Sequence, residues 1–117
     1  MNWEQQYRRL VILSRELPPF PSALKDEAHR VSGCEAQVWL YVDSSNPDAV
    51  VLRFDSGSRI VKGLLALIQQ RLDGQPRTAI KNFDIDGLFR EQGLHGHLTP
   101  SRANGLAQVA RALKERV

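Results

Sequence analysis

Residues 37–72 read QVWLYVDSSNPDAVVLRFDSGSRIVKGLLALIQQRL, and this stretch decides the fold. In residues 37–42 apolar and outward-facing side chains alternate with the period of a β-strand, which places Val38, Leu40 and Val42 on one inner face. A second alternating run carries Val50, Leu52 and Phe54. Residues 43–48 between the two runs have the composition of a turn, so the pair predicts an antiparallel hairpin.

The second half of this stretch predicts the central helix of the domain. Ser56 or Ser58 is a candidate N-cap, and Asp73-Gly74 is a stop signal. Between them lies the widest apolar stripe of the sequence, formed by Ile60, Val61, Leu64, Leu65, Ile68 and Leu72. We expect this helix to pack across the hairpin.

The flanking segments predict further helices. Helical spacing of apolar residues predicts a first helix over residues 2–16, and Ser22 is a candidate cap for a short helix through residues 25–27. A short strand is possible at residues 29–32. Short elements are predicted at residues 78–82 and 86–91, and Thr99 followed by Pro100 predicts the start of the last helix. The order predicts an α+β fold, a single domain of residues 1–117 with helices on one face of a small antiparallel sheet.

The charge distribution and the lengths of the apolar runs limit the classes of function that the sequence supports. The 117 residues hold 16 Lys+Arg and 13 Asp+Glu, a net charge of +3, and the positive charges are scattered among acidic residues without forming a run. Solvated faces are therefore favoured, and a basic nucleic-acid binder is the alternative. No apolar run approaches the roughly 18–20 residues that cross a bilayer, and the first residues lack a signal pattern, which predicts a cytoplasmic protein without a membrane partner.

Cys34 is the one cysteine of the chain, so it has no partner for an internal disulfide and no CxxC or Cys/His cluster surrounds it. It follows Gly33 and precedes the first strand, which places it on a loop at a sheet end. For a lone cysteine the ordinary alternative is a small buried apolar side chain. A loop position after a glycine favours a chemical role for the thiol.

Four blocks of the sequence carry a resemblance. They are residues 31–40 (VSGCEAQVWL), 3–7 (WEQQY), 55–66 (DSGSRIVKGLLA) and 98–106 (LTPSRANGL). Together they resemble the SufE/CsdE family, the sulfur-acceptor proteins of cysteine desulfurases, and the match covers essentially the whole chain. Glu35 after the cysteine is more similar to CsdE, whereas residues 98–102 are more similar to SufE, so the choice of desulfurase stays open.

The resemblance implies a persulfide carrier. A pyridoxal-phosphate desulfurase of the SufS or CsdA type would hold sulfur as a persulfide, and the residue matching Cys34 would accept it without a cofactor of its own. Sulfur would then pass to an iron–sulfur cluster scaffold or another acceptor. Such a protein is a partner and activator of the desulfurase and not an enzyme by itself. A cluster scaffold is disfavoured because one cysteine cannot hold a cluster.

The reaction needs a reactive thiolate, yet a persistently exposed one would be oxidised. We therefore expect the resting thiol of Cys34 to fold back against Val31, Val38 and Leu40, with its pKa raised by burial. Gly33 is the predicted hinge, because glycine tolerates a positive φ.

Other residues have competing interpretations. Arg102 is either a surface side chain in a first turn or an ion-pair partner that holds the core together, and the structural role is favoured because a cation in a first turn needs compensation. Asp55 is predicted to be a strand-to-helix cap. Trp39 would lie on the outer sheet face, for packing or for a partner. His95 and His97 suggest a surface turn more than a metal site, so no metal ligand is predicted. His29, five residues before Cys34, could pair with it in a Cys–His hydrolase, which is the enzyme alternative.

Overall fold

The predicted hairpin forms the sheet of the protein. In a computed structural model that describes residues 2–117, strands β1 (Val38–Asp43) and β2 (Val51–Ser56) pair antiparallel, with Leu40 opposite Phe54. Val38, Leu40, Leu52 and Phe54 on the inner face are buried and Val42 is partly buried, while Trp39 and Tyr41 lie on the outer face and are partly exposed. The possible strand at residues 29–32 is reduced to one isolated bridge, between Arg30 and Trp39.

The protein has five helices within residues 2–117: α1 (Trp3–Ser14), α2 (Arg59–Leu72), α3 (Arg77–Lys81), α4 (Ile85–Glu91) and α5 (Pro100–Arg116). Helix α2 packs on β2 and helix α5 contacts β1, while α1 packs on α2 and α3 on α5. Two 3-10 turns, Ser22–Leu24 and His95–His97, complete the fold. Helices pack on the sheet, so the α+β class is confirmed. No helix within residues 2–117 is long and apolar enough to cross a membrane.

Helix α2 is the central helix that the apolar stripe predicts. Its Leu64, Leu65 and Ile68 are fully buried, and each such side chain contributes about 1.5–3 kcal/mol of transfer free energy. Ser58 is the N-cap, because its hydroxyl accepts a hydrogen bond from the amide of Val61 at 3.3 Å. Helix α2 therefore begins at the residue after Ser58 and covers the inner face of the hairpin.

Helix α1 packs against α2 and is shorter than predicted. It ends at Ser14, because the amides of Arg15 and Glu16 bond to carbonyls three residues back in a tightened last turn. Its buried Gln6 donates from the side-chain amide to the carbonyls of Gln92 and Gly93, both at 3.3 Å. These bonds tie the first helix to the segment after α4.

Thr99 is the cap that the sequence predicts for the last helix, whereas Ser22 is not a cap. Asp84 caps α4 and Thr99 caps α5, by accepting from the amides of Gly87 and Arg102. Ser22 makes no cap hydrogen bond and is the first residue of its 3-10 turn. That turn ends at Leu24, since the backbone of Lys25 (ψ 71°) leaves helical geometry, so the predicted helix through residues 25–27 is wrong.

Candidate functional site

The loop that carries Cys34 leaves the core between two paired residues. The amide of Val31 donates to the carbonyl of Val38 at 2.9 Å, which closes the base of the loop. On the far side, the carbonyl of Gln37 accepts from the Ser56 hydroxyl at 2.6 Å and from the Gly57 amide at 3.3 Å. The base is thus fixed to the sheet, and residues 32–36 form the tip of the loop.

Gly33 has the conformation that the hinge prediction requires. Its φ is +87°, in the left-handed region that side chains rarely adopt. A Cβ at this position would lie 3.1 Å from Cγ of Gln108, on helix α5. The turn at Ser32 and Gly33 therefore brings the loop down onto α5.

Cys34 is half-buried at the side of a cavity of about 430 Å³. Its Sγ donates to the main-chain carbonyl of Gly105 at 3.4 Å. Four apolar side chains from β1, α2 and α5 line the same cavity: Val38, Val61, Leu106 and Val109. The structure thus shelters the thiol, but of the three residues expected to do so Val38 alone lines the cavity, and helices α2 and α5 supply the rest.

Burial is the main influence on the thiol. Burial raises the pKa of Cys34, and the positive charge of Arg30 lowers this pKa by a smaller amount. A thiol with a raised pKa is protonated at neutral pH and is a weak nucleophile. The arrangement therefore holds Cys34 in a resting and protected form.

Polar residues form the rim of this cavity. Ser58, Thr99, Ser101 and Glu35 lie there with Arg102, and the hydroxyl of Ser101 hydrogen-bonds the carboxylate of Glu35. Among residues 2–117 Arg102 forms no ion pair, so its predicted role as an ion-pair partner is wrong. Arg102 instead brings a positive charge to the edge of the cavity in which Cys34 lies.

Comparison with known proteins identifies the family. A family model described as "SufE: Fe-S metabolism associated domain" matches residues 1–117, the whole chain. The chain belongs to the SufE family. A solution structure of a hypothetical protein from Thermus thermophilus is similar in fold, with a TM-score of 0.79 and 24% identity over 99% of this chain and 84% of that one. The SufE family as a whole is associated with iron–sulfur metabolism.

In this SufE-family protein Asp55 is an ion-pair centre and not the predicted helix cap. Its carboxylate accepts from the amide of Ser56 at 2.9 Å and pairs with Lys25 at 2.5 Å and Lys62 at 3.6 Å. The cap of α2 is Ser58, three residues later. Lys25 also lies over the ring of Trp39, with 5.4 Å from its Nζ to the ring centroid. Asp55 therefore joins the strand end to two lysines beside the outer sheet face.

The three histidines lie elsewhere in the SufE fold. Nδ1 of His29 is 2.7 Å from a carboxylate oxygen of Asp26, and His29 does not line the cavity of Cys34. The proposed Cys–His pair of a hydrolase is therefore not formed. His95 is near Asp86, and His97 stacks on Trp3 with ring centroids 5.6 Å apart. Within residues 2–117 no three His, Cys, Asp or Glu side chains group closely enough to hold a metal ion.

Proposed function

We propose that this SufE-family protein accepts sulfur as a persulfide on Cys34 from a cysteine desulfurase of the SufS or CsdA type. The observation that carries the proposal is the position of the thiol, on a loop with a fixed base and a hinge glycine, at the side of an apolar cavity. Residues 1–117 would act as one sulfur-acceptor domain. It would stimulate the desulfurase and then relay sulfur for iron–sulfur cluster assembly.

The transfer step is an exchange between sulfur atoms and needs one thiol. The thiolate of Cys34 attacks the outer sulfur of the donor persulfide, a new bond forms from its Sγ to that sulfur, and the S–S bond of the donor breaks. The electron pair of the broken bond stays on the donor sulfur, which takes up a proton as a thiol. No external oxidant or reductant takes part.

The chain's own residues support this step in two ways. In the closed loop, burial keeps Cys34 protonated and away from oxidants, which would otherwise convert a thiolate to sulfinic acid. When the loop opens, the thiol leaves its apolar surroundings and its pKa falls toward the ordinary range, which restores the nucleophile. The nearby positive charge of Arg30 lowers the pKa of Cys34 and so favours the thiolate.

Intact-mass measurement tests the proposal directly. The protein is incubated with a desulfurase and cysteine, and we expect a gain of about 32 Da that reductant removes. Cys34→Ser is the matched control and should gain nothing. Its thermal midpoint should stay close to that of wild type, since the substitution changes little volume in a half-buried loop residue. A reducible gain on Cys34→Ser, or no gain on wild type with desulfurases of both types, contradicts the proposal.

A further inference from the structure

Helix α5 presents one face to the tip of the Cys34 loop. Ser101, Asn104, Gly105 and Gln108 have the spacing i, i+3, i+4 and i+7, so they lie on the same side of the helix. The surrounding positions of α5 have other roles: Leu106 and Val109 are buried, and Arg111 points to solvent and pairs with Glu115.

Each of three successive loop residues is held by this face. The side-chain amide of Asn104 donates to the carbonyl of Gly33 at 3.4 Å, and the carbonyl of Gly105 accepts from the thiol of Cys34 at 3.4 Å. The hydroxyl of Ser101 contacts the carboxylate of Glu35. The loop tip thus has side-chain or thiol hydrogen bonds to one helix at positions 33, 34 and 35.

The base of the loop is held by the sheet, by the start of α2 and by Arg116 at the C-terminal end of α5, and not by the α5 face that holds the tip. Backbone pairing of Val31 with Val38 and the bonds to Gln37 belong to the sheet and to the start of α2. On the other side, the Arg116 guanidinium donates to the carbonyls of His29 and Arg30. Because base and tip are held separately, the tip can leave α5 without loss of any contact at the base.

We propose that Ser101 and Asn104 are positioning residues that latch the Cys34 loop closed on α5, and that a sulfur donor must displace these contacts to reach the thiol. The effect of this latch on sulfur transfer rests on the proposed function, whereas the latch itself is a property of the free protein. Both side chains are exposed, so a docked protein surface can compete for them directly. Neither is part of the hydrophobic core, and their loss leaves the apolar packing of α5 unchanged.

Alkylation of Cys34 by iodoacetamide in the free protein tests the latch. One hydrogen bond changes an equilibrium about two- to twelvefold, so the double variant Ser101→Ala/Asn104→Ala should react about tenfold or more faster than wild type at pH 7.5. The midpoint of its rate against pH should also shift down, toward an ordinary thiol. Faster alkylation could also result from a loss of global stability, which would lower the thermal midpoint of the double variant. We expect this midpoint to stay at the wild-type value, because alanine is a better helix former than asparagine.

Two further variants sharpen the result. Asn104→Asp keeps the size of the side chain but sets a carboxylate against the Gly33 carbonyl, so it should also speed alkylation. Arg111→Ala, on the solvent side of α5, should react at the wild-type rate. A double variant within twofold of wild type overturns the latch, and so does an equal acceleration in Arg111→Ala.

A second arm separates the latch from the proposed function. A desulfurase that lacks its own nucleophile is added, and wild type and the double variant should then be alkylated at similar rates, because the donor has already opened both. If this desulfurase binds neither protein, and the intact enzyme with cysteine transfers sulfur to neither, the proposed function fails while the free-protein rates still decide the latch. If sulfur transfer occurs but the free rates are equal, the latch alone fails.

Discussion

The thiol of Cys34 donates to the main-chain carbonyl of Gly105, a residue 71 positions further along the chain, across 3.4 Å. A carbonyl oxygen is an acceptor only, so this contact favours the protonated thiol over the thiolate. Burial acts in the same direction and raises the pKa of Cys34. The resting site therefore opposes the ionised state that sulfur transfer requires, and opening of the loop removes both effects.

The pH profile of alkylation should report this environment. Because the closed fold raises the pKa of Cys34, its stabilisation is complete below the thiol pKa of the unfolded chain and is lost as pH rises through the folded pKa. The midpoint of rate against pH should therefore lie above that of a small-molecule thiol. Arg30→Gln removes the charge that lowers the pKa, so alkylation at pH 8 should slow about two- to threefold for this partly exposed arginine.

The matched control for Arg30 is Arg8→Gln, which removes an exposed positive charge from α1. It should leave the profile of Cys34 unchanged. A midpoint below that of free cysteine would show that burial does not govern the thiol, and faster alkylation in Arg30→Gln would show that the charge of Arg30 does not lower its pKa.

Gly63 should be the most sensitive glycine of the α1–α2 contact. A Cβ there would lie 2.3 Å from the carbonyl oxygen of Leu10, so α1 must move away from α2 to accommodate it. We expect Gly63→Ala to lower the free energy of unfolding by about 2–4 kcal/mol, which outweighs the gain in helix propensity of about 1 kcal/mol. Urea denaturation measures this loss.

Gly57→Ala serves as the control for Gly63, because, apart from Gly57 and its two chain neighbours, no described residue has an atom within 4 Å of the place that a Cβ would take, and its φ is not in the left-handed region. Its urea midpoint should stay close to that of wild type. Equal losses in the two variants would mean that helix contact is not the cause.

Asp55 should stabilise the protein in a pH-dependent way. Burial raises the pKa of its carboxyl, but the hydrogen bond from Lys25, the Ser56 amide and the charge of Lys62 together lower it. The stabilisation is therefore present above the carboxyl pKa of the unfolded chain and is lost as pH falls through the folded pKa. Asp55→Asn should lose about 1 kcal/mol at pH 7, since both lysines are partly exposed, and the difference from wild type should disappear as pH falls through the folded pKa of Asp55. A difference that is constant with pH would exclude the ion pairs as its source.

The local part of the fold follows from the sequence, whereas the surroundings of the thiol do not. Alternation fixes the hairpin, and the apolar stripe with Ser58 fixes α2, because both signals are short in range. The contacts of Cys34 with Gly105 and of Gly33 with Asn104 join residues 71 positions apart. No periodicity in either segment encodes that packing.

The surroundings of Arg102 also could not be predicted from local sequence signals. Its position two residues after Pro100 identifies the first turn of a helix, and a cation there suggests a compensating acidic partner. The structure turns the side chain to the cavity of Cys34 instead. The direction of that turn depends on how α5 docks on β1 and α2, which is a tertiary property. The block of residues 98–106 was the one signal that could have placed Arg102 at the site.

The hinge at Gly33 gives the last prediction. Its φ of +87° costs an alanine about 1–2 kcal/mol, and the added Cβ would press on Gln108 at 3.1 Å. Both penalties apply to the closed loop, since the open loop has left α5 and is free of that φ. Gly33→Ala should therefore shift the loop toward its open form, and iodoacetamide should label Cys34 about five- to thirtyfold faster than in wild type.

Gly74→Ala is a matched control, because Gly74 has nearly the same φ, +80°, and a Cβ there would meet no atom within 4 Å in the described residues beyond its two chain neighbours. It lies after α2, where its amide donates to the carbonyl of Val50, and it does not touch the Cys34 loop. The two variants should lose similar free energies of unfolding in urea, but Gly33→Ala alone should expose the thiol. If Gly74→Ala accelerates labelling equally, the thiol is reached through global opening, and Gly33 is not a hinge. If Gly33→Ala labels at the wild-type rate, the closed loop does not depend on this backbone conformation.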